Sequence, residues 1–272
     1  MEGLLEDVPR GDTEMKGVVL AGGLGTRLLP MTRVTNKHLL PVYDRPMICY
    51  PIQQLVTCGI EDILVVTGGG SSGDFLELLG NGEEFGLNHL NYAYQDGEGG
   101  IAQALGLAKD FSAGEPLMVL LGDNLFQDSL EEAIGHYSQG EGAMIFLKEV
   151  DDPERFGVAI LEDDRVVSII EKPNPAPSSL AVTGCYVFDF RVFEIIEGLQ
   201  PSSRGELEIT DVNNKYIEWG EMRHQVLDGW RADAGTVESL VRASRLVSEN
   251  RENPVLRGIS MELDNSNQYP SE

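Results

Sequence analysis

Apolar positions along the chain fall into two alternating patterns. Short apolar runs at Gly17–Leu20, Ile63–Thr67, Leu90–Tyr94 and Leu117–Leu121 read as buried strands. Between them lie stretches with helical character. Pro46–Cys58 has Met47, Ile48, Leu55 and Val56 apolar and Gly59 just past its end; Asp74–Leu79 and Ile101–Lys109 follow. This alternation predicts an α/β fold: a Rossmann-like, mostly parallel central sheet with helices on both faces. Ligands of such sheets bind beyond the carboxyl ends of the strands.

The second half reads differently. Ala143–Val150 is a strand. Phe156–Leu161 and Val166–Glu171 flank Glu162-Asp163-Asp164 as a hairpin. Ala181–Phe188 is a strand, Val192–Gly198 and Glu208–Trp219 are helices, and Arg223–Leu227 is a strand that leads into Trp230–Thr236. Thr236 can cap a helix over Val237–Asn250. No Pro-, Gly- or Ser-rich linker and no repeat divides the chain. One domain over 15–250 is therefore expected, with halves of about 15–140 and 141–250. Residues 1–14 read as a loosely attached arm and 251–272 as a polar, loose tail.

Composition narrows the function classes. The chain has 272 residues, 42% of them hydrophobic, enough for a sizeable core. No apolar run approaches the ~20 residues of a membrane span. Met1–Glu14 is acidic, unlike a signal peptide, so a cytoplasmic protein is expected, with no membrane partner. Cys49, Cys58 and Cys185 sit in apolar stretches and read as buried free thiols. The net charge is −25, which repels nucleic acid and demands that any phosphate site be built locally. Such acidity also suggests a salt-loving source, because salt screens self-repulsion.

The candidate chemistry begins at Lys16–Arg45. The first strand empties into Gly22-Gly23-Leu24-Gly25-Thr26-Arg27. Glycines let backbone N–H groups approach an anion, and an arginine fork suits phosphate oxygens. Lys37 follows ten residues on. A tight glycine turn with a surface arginine would look similar. The stretch lacks the Gly-Lys-Ser/Thr of a P-loop, and Leu28 stands where a dinucleotide fingerprint needs its third glycine. Gly68–Gly73 is a second glycine-rich loop without a cation, and reads as a plain loop.

The complete pattern, L-A-G-G-x-G-T-R-L followed by K-x-L-L-P-V-Y-D-x-P, resembles the signature of the sugar nucleotidyltransferases, and most of all their glucose-1-phosphate thymidylyltransferase branch. The resemblance runs over about residues 16–250. It implies Mg²⁺-dependent attack of glucose-1-phosphate on the α-phosphorus of dTTP, or of UTP, with release of pyrophosphate. It makes Leu20, Ala21, Gly22, Gly23, Gly25, Thr26 and Arg27 the nucleotide loop, and Gln95 and Gly100 the base site. Asp123 in L-G-D-N and Asp233 in A-D-A-G-T become the metal ligands. By position alone, Asp123 could equally be a turn residue, and Asp233 a carboxylate favoured by a helix N-terminus. Arg27, Lys37, Asp123 and Lys172 are implied to be catalytic. Gly157, Glu171, Lys172, Val182 and Arg204 are implied to bind the sugar phosphate. Val182 also suits a strand core, and each cation could be a solvated surface charge.

Departures from the pattern fall near the base or the ribose. Asp96-Gly97-Glu98-Gly99-Gly100 replaces the usual P-S-P-D-G, and His38 stands where glutamine is usual. Longer family members continue into C-terminal helices that help build a regulatory nucleotide site. The polar tail ending at Glu272 predicts neither that site nor the exact assembly those members form, although a homo-oligomer is expected. The product would serve the making of rhamnose or another deoxysugar. A non-catalytic sensing subunit is the alternative of another class.

Overall fold

The computed structural model describes residues 15–137 and 142–257. The arm at 1–14 and the last part of the tail lie outside them. The first half runs β1 (Lys16–Ala21), β2 (Pro41–Val42), β3 (Arg45–Pro46), α1 (Cys49–Thr57), β4 (Asp62–Gly68), α2 (Ser72–Leu79), β5 (His89–Gln95), α3 (Ile101–Gly106), α4 (Lys109–Ser112), β6 (Leu117–Leu121), β7 (Asn124–Phe126) and α5 (Glu131–His136). The second half runs β8 (Ala143–Glu149), β9 (Gly157–Glu162), β10 (Arg165–Glu171), β11 (Leu180–Phe188), α6 (Val192–Gly198), α7 (Ile209–Trp219), β12 (Met222–Val226), β13 (Arg231–Asp233), α8 (Val237–Glu249) and α9 (Pro254–Arg257).

Of the first-half strands, β1, β4, β5 and β6 run parallel. Val19 of β1 lies opposite Val65 of β4 on one side and Leu120 of β6 on the other, and β5 extends the sheet beyond β4. A strand buried on both faces needs a continuous apolar run, which Gly17–Leu20, Ile63–Val66 and Leu117–Leu121 supply. Successive side chains point to opposite faces. Val18, Leu64 and Val119 pack with Leu105 of α3, Phe193 of α6 and Tyr216 of α7. Val19, Val65 and Leu120 pack with Ile52 of α1 and Phe75 of α2. Helices thus cover both faces.

β11 joins the halves. It runs antiparallel to β6 and β8 and meets β9 at Ala181–Val158, while β12 runs parallel to β8. β9 and β10 form the expected hairpin, with Asp163 and Asp164 turning at φ 47° and 60°. The register of β11 against β8 shifts between Val182 and Tyr186. Gly184 lies in that gap, where a Cβ would fall 2.6 Å from Asn124 Nδ2.

Four elements differ from their sequence patterns. α1 starts at Cys49 rather than Pro46, because Arg45–Pro46 pair with Pro41–Val42. The helix expected over Ile101–Lys109 breaks after Gly106: Leu107 and Ala108 bond three residues back, which tightens the turn, and glycine is a weak helix former. α5 carried no recognised signal. The stretch Trp230–Thr236 contains β13, antiparallel to β7 with Asp233 opposite Asn124. Beyond it, the Thr236 hydroxyl accepts from Ser239 N and Ser239 Oγ answers Thr236 N at 2.9 Å, capping α8. Packing also continues past 250. Val255 and Leu256 of α9 are buried, Leu256 in a third apolar cluster with Leu28, Leu125, Ala232 and Leu240.

Candidate active site

β1 delivers Ala21, and the loop from Gly22 to Gly25 then turns away from the sheet. Gly25 has φ 66°, and a Cβ there would lie 2.8 Å from Lys37 Cβ. Only glycine meets both demands, so the loop seats directly on the lysine stem. Lys37 opens a short 3₁₀ turn capped by Asn36, whose side chain accepts from His38 N. The lysine Nζ reaches Asp123 Oδ2 at 2.5 Å. Asp123 is buried just beyond β6. Burial alone would raise its carboxyl, but the charge and hydrogen bond of Lys37 hold it below the ordinary carboxylate range.

β13 brings in the second acid. Ala234 N donates to Asp123 O at 2.9 Å, which fixes the two aspartate backbones together. Burial, and next the charge of Asp123, raise the Asp233 carboxyl above its ordinary range; Arg231, Lys37 and Arg27 oppose this. Arg27 is exposed, and its guanidinium lies over Gly235, where a Cβ would be 2.9 Å from Nη2. Arg27, Lys37, Asp123 and Asp233, from four stretches of sequence, therefore form one cluster. A cavity of about 280 Å³ runs from Lys37 and Asp123 past Leu20, Gly22 and Gly23 to Gln95 and Gly100. Thr26 is exposed on the turn beside it.

His38 also lines this cavity. Burial first, and the Lys37 charge second, push its pKa down to about 3. Asn36 Oδ1 can only accept, so His38 Nδ1–H donates to it at 2.7 Å, and the neutral ring keeps Nε2 as an acceptor.

A second group gathers where β10 ends. Glu171 lies opposite Gly157 of β9. Its Oε2 accepts from Thr210 Oγ1 at 2.7 Å, and its Oε1 pairs with Arg204 Nη2 at 3.3 Å and Lys172 Nζ at 3.5 Å. Arg204 pairs further with Glu208 at 2.6 Å and Glu206 at 3.6 Å, so three glutamates share its charge. Val182 is buried in the core of β11. Among the described residues, no hydrogen bond or ion pair joins this group to the aspartate cluster. Tyr186 of β11 lies within electrostatic reach of both Glu171 and Asp123.

One residue was missed. Arg231 donates from Nε to Asn124 Oδ1 at 2.7 Å, and from Nη2 to the same oxygen. Asn124 Nδ2 in turn donates to Asp123 Oδ1 at 3.0 Å. The guanidinium lies over the Phe156 ring, 5.1 Å from its centroid. A strand reading of Arg231-Ala232-Asp233 would have put the arginine and the aspartate on one face. A larger cavity, about 920 Å³, opens beside Arg231 and Asp233.

Among the described residues, no cluster of three or more His, Cys, Asp or Glu side chains could hold a metal ion. Two carboxylates with hard oxygen donors do suit Mg²⁺, which commonly takes one or two from protein and the rest from phosphate and water.

A family model described as nucleotidyl transferase matches residues 16–250. The glucose-1-phosphate thymidylyltransferase of Neisseria meningitidis serogroup A is 45% identical over 241 residues, which is 86% of this chain and 82% of that one. A Bacillus anthracis crystal structure assigned as a glucose-1-phosphate thymidylyltransferase, in complex with a sucrose, is 49% identical with a TM-score of 0.82, covering 85% of this chain and 94% of that one. A UDP-glucose pyrophosphorylase complexed with UDP-glucose is 26% identical with a TM-score of 0.76, covering 87% of this chain and 99% of that one. A glycine loop at the end of the first parallel strand, an acid pair beside it and this breadth of similarity agree: the chain belongs to the nucleotidyl transferase family and is a nucleotidyltransferase.

Proposed function

We propose that the chain transfers a thymidylyl group from dTTP to glucose-1-phosphate, forming dTDP-glucose and releasing pyrophosphate, with Mg²⁺ held by Asp123 and Asp233. The observation that carries this reading is the meeting of Lys37, Arg27 and the two aspartates at the mouth of the loop that follows β1. The names of the relatives supply the substrates.

In this reading the backbone amides of Gly22–Thr26 and the exposed Arg27 hold the β and γ phosphates, and Arg27 stabilises the departing pyrophosphate. Bound Mg²⁺ would offset the repulsion between nucleotide and sugar phosphates. Lys37, fixed by Asp123, supplies positive charge near the α-phosphorus. Lys172 and Arg204 hold the sugar phosphate, and Glu171 accepts from sugar hydroxyls beside Gly157, with Val182 behind. The attacking oxygen belongs to an already ionised phosphate, so the residues must position and neutralise charge rather than remove a proton.

UTP is the second reading. His38 and Glu98, where the sequence departs from the thymidylyltransferase pattern, both line the cavity, His38 against Gly122 beside Asp123, and a UDP-glucose pyrophosphorylase shares the fold. Thymine and uracil differ by one methyl, worth about 1 kcal/mol in an apolar contact. The test is pyrophosphate release with glucose-1-phosphate and each of dTTP, UTP, CTP, ATP and GTP, with Mg²⁺ and with chelator. Preference for dTTP with loss under chelation supports the proposal. Preference for UTP favours the second reading, and no turnover with any nucleotide favours a sensing subunit.

A further inference from the structure

The base end of the cavity holds a side chain whose hydrogen-bonding face is already decided. Gln95 ends β5 and is buried. Its Nε2 donates to Gly100 O at 3.2 Å and to Gln103 Oε1 at 2.9 Å. A carboxamide nitrogen carries two hydrogens, and both are thus spent inside the protein. The backbone carbonyl can only accept, which favours this orientation, and the shorter bond to Gln103 Oε1 adds to it. What remains is Gln95 Oε1, which lies against Gly22; a Cβ there would be 2.6 Å from it. Gln95 and Gly22 both line the cavity, and among the described residues no donor engages this oxygen.

Gln103 projects from the first turn of α3 and is exposed, so nothing in its own burial explains its place. Its amide lies under the loop that carries Gly97–Gly100. A Cβ on Gly99 would sit 2.1 Å from both its Cδ and its Oε1. The loop closes over Gln103 because position 99 has no side chain, and the close approach brings the Gln103 carbonyl to Gln95.

We propose that Gln103 is a specificity-determining positioning residue: by taking the second hydrogen of the Gln95 amide nitrogen beside Gly100 O, it helps hold Gln95 with only its carbonyl oxygen toward the nucleobase. This deepens the proposed function and rests on it for the base lying at Gln95. A lone acceptor favours a base whose facing ring nitrogen carries hydrogen, as N3 of thymine and uracil does. It opposes cytosine, whose N3 is a lone pair that would face the carbonyl. A free amide could rotate and serve either; the paired bonds to Gly100 O and Gln103 Oε1 together remove that choice.

The test compares full-length wild type with Gln103→Leu and Gln103→Glu. Equilibrium dissociation constants are measured for dTTP, UTP and CTP, alongside KM for glucose-1-phosphate. Gln103→Leu is expected to narrow the preference for dTTP and UTP over CTP by about tenfold, the worth of one hydrogen bond. Gln103→Glu keeps an acceptor and should retain the wild-type ratio, and KM for glucose-1-phosphate should hold in both. An unchanged ratio in Gln103→Leu overturns the proposal. So does an equal loss for all three nucleotides, or failure of Gln103→Glu to retain the ratio, since either marks a merely structural role. If wild type discriminates bases in binding but releases no pyrophosphate with glucose-1-phosphate, the proposed reaction fails and the Gln103 assignment is still decided by the ratios.

Discussion

Lys37 Nζ and Asp123 Oδ2 stand 2.5 Å apart at the edge of the cavity beyond β1, with both side chains largely withdrawn from water. The pair is the hinge of charge in the site: the acid needs the lysine to stay ionised in its buried position, and the lysine is aimed by the acid. Asp123→Asn should therefore raise the barrier to turnover by roughly 3 kcal/mol, about two orders of magnitude in rate. Steady-state pyrophosphate release checks this, with circular dichroism to establish the fold. Turnover like wild type would remove Asp123 from the mechanism.

Gly25 tests the loop beneath that pair. Alanine there must adopt φ 66° and push against Lys37 Cβ. The backbone conformation alone costs about 1–2 kcal/mol, seen as a fall of a few degrees in melting temperature. Because the clash falls on the Lys37 stem, turnover should drop further than stability predicts. An alanine variant with an unchanged melting temperature and rate would contradict the packing described.

Arg231 and Asn124 should act as one unit. Arg231→Met frees the Asn124 carbonyl, and Asn124→Ala removes the donor to Asp123 Oδ1. Each is expected to lower turnover at least tenfold. The double variant should fall well short of the product of the two, with a coupling of about 1 kcal/mol or more. Strict additivity in the kinetic cycle would show that the two residues act separately.

Lys172 follows β10 at φ 45°, with its N–H bonded to Phe156 O at 2.9 Å and its ammonium near Glu171. Lys172→Ala should raise KM for glucose-1-phosphate about tenfold or more while moving KM for the nucleotide little. Equal changes for both substrates would detach this lysine from the sugar end.

The net charge of −25 makes a last prediction. If self-repulsion opposes folding, melting temperature should climb with KCl concentration. A flat or falling curve sinks the salt-loving hypothesis.

What could be read in advance followed periodicity and local chemistry. Gly17–Leu20, Ile63–Thr67 and Leu117–Leu121 announced parallel strands because two-sided burial leaves an unbroken apolar run. Thr236 announced the cap of α8, because the signal sits within one turn. Arg231 was hidden because β13 is three residues long and its partner β7 lies more than a hundred residues away. So short a strand has no period of its own. Likewise, Gln103 sits on an ordinary helical pattern, and only the folded loop brings its amide to Gln95. The resemblance points to Arg204 as a phosphate ligand, while its three glutamate neighbours follow only from how the 202–208 turn folds back toward β10.

β11 lies against β6 of the first half and against β8 and β9 of the second. The two halves consequently share one hydrogen-bonded sheet, which runs across the boundary between them. In the proposed reaction, bringing two mutually repelling phosphates into line would then fall to the small rim segments, such as Gly22–Thr26, Asp96–Gly100 and Lys172–Pro177. The cost of holding the two halves in register is met when the chain folds.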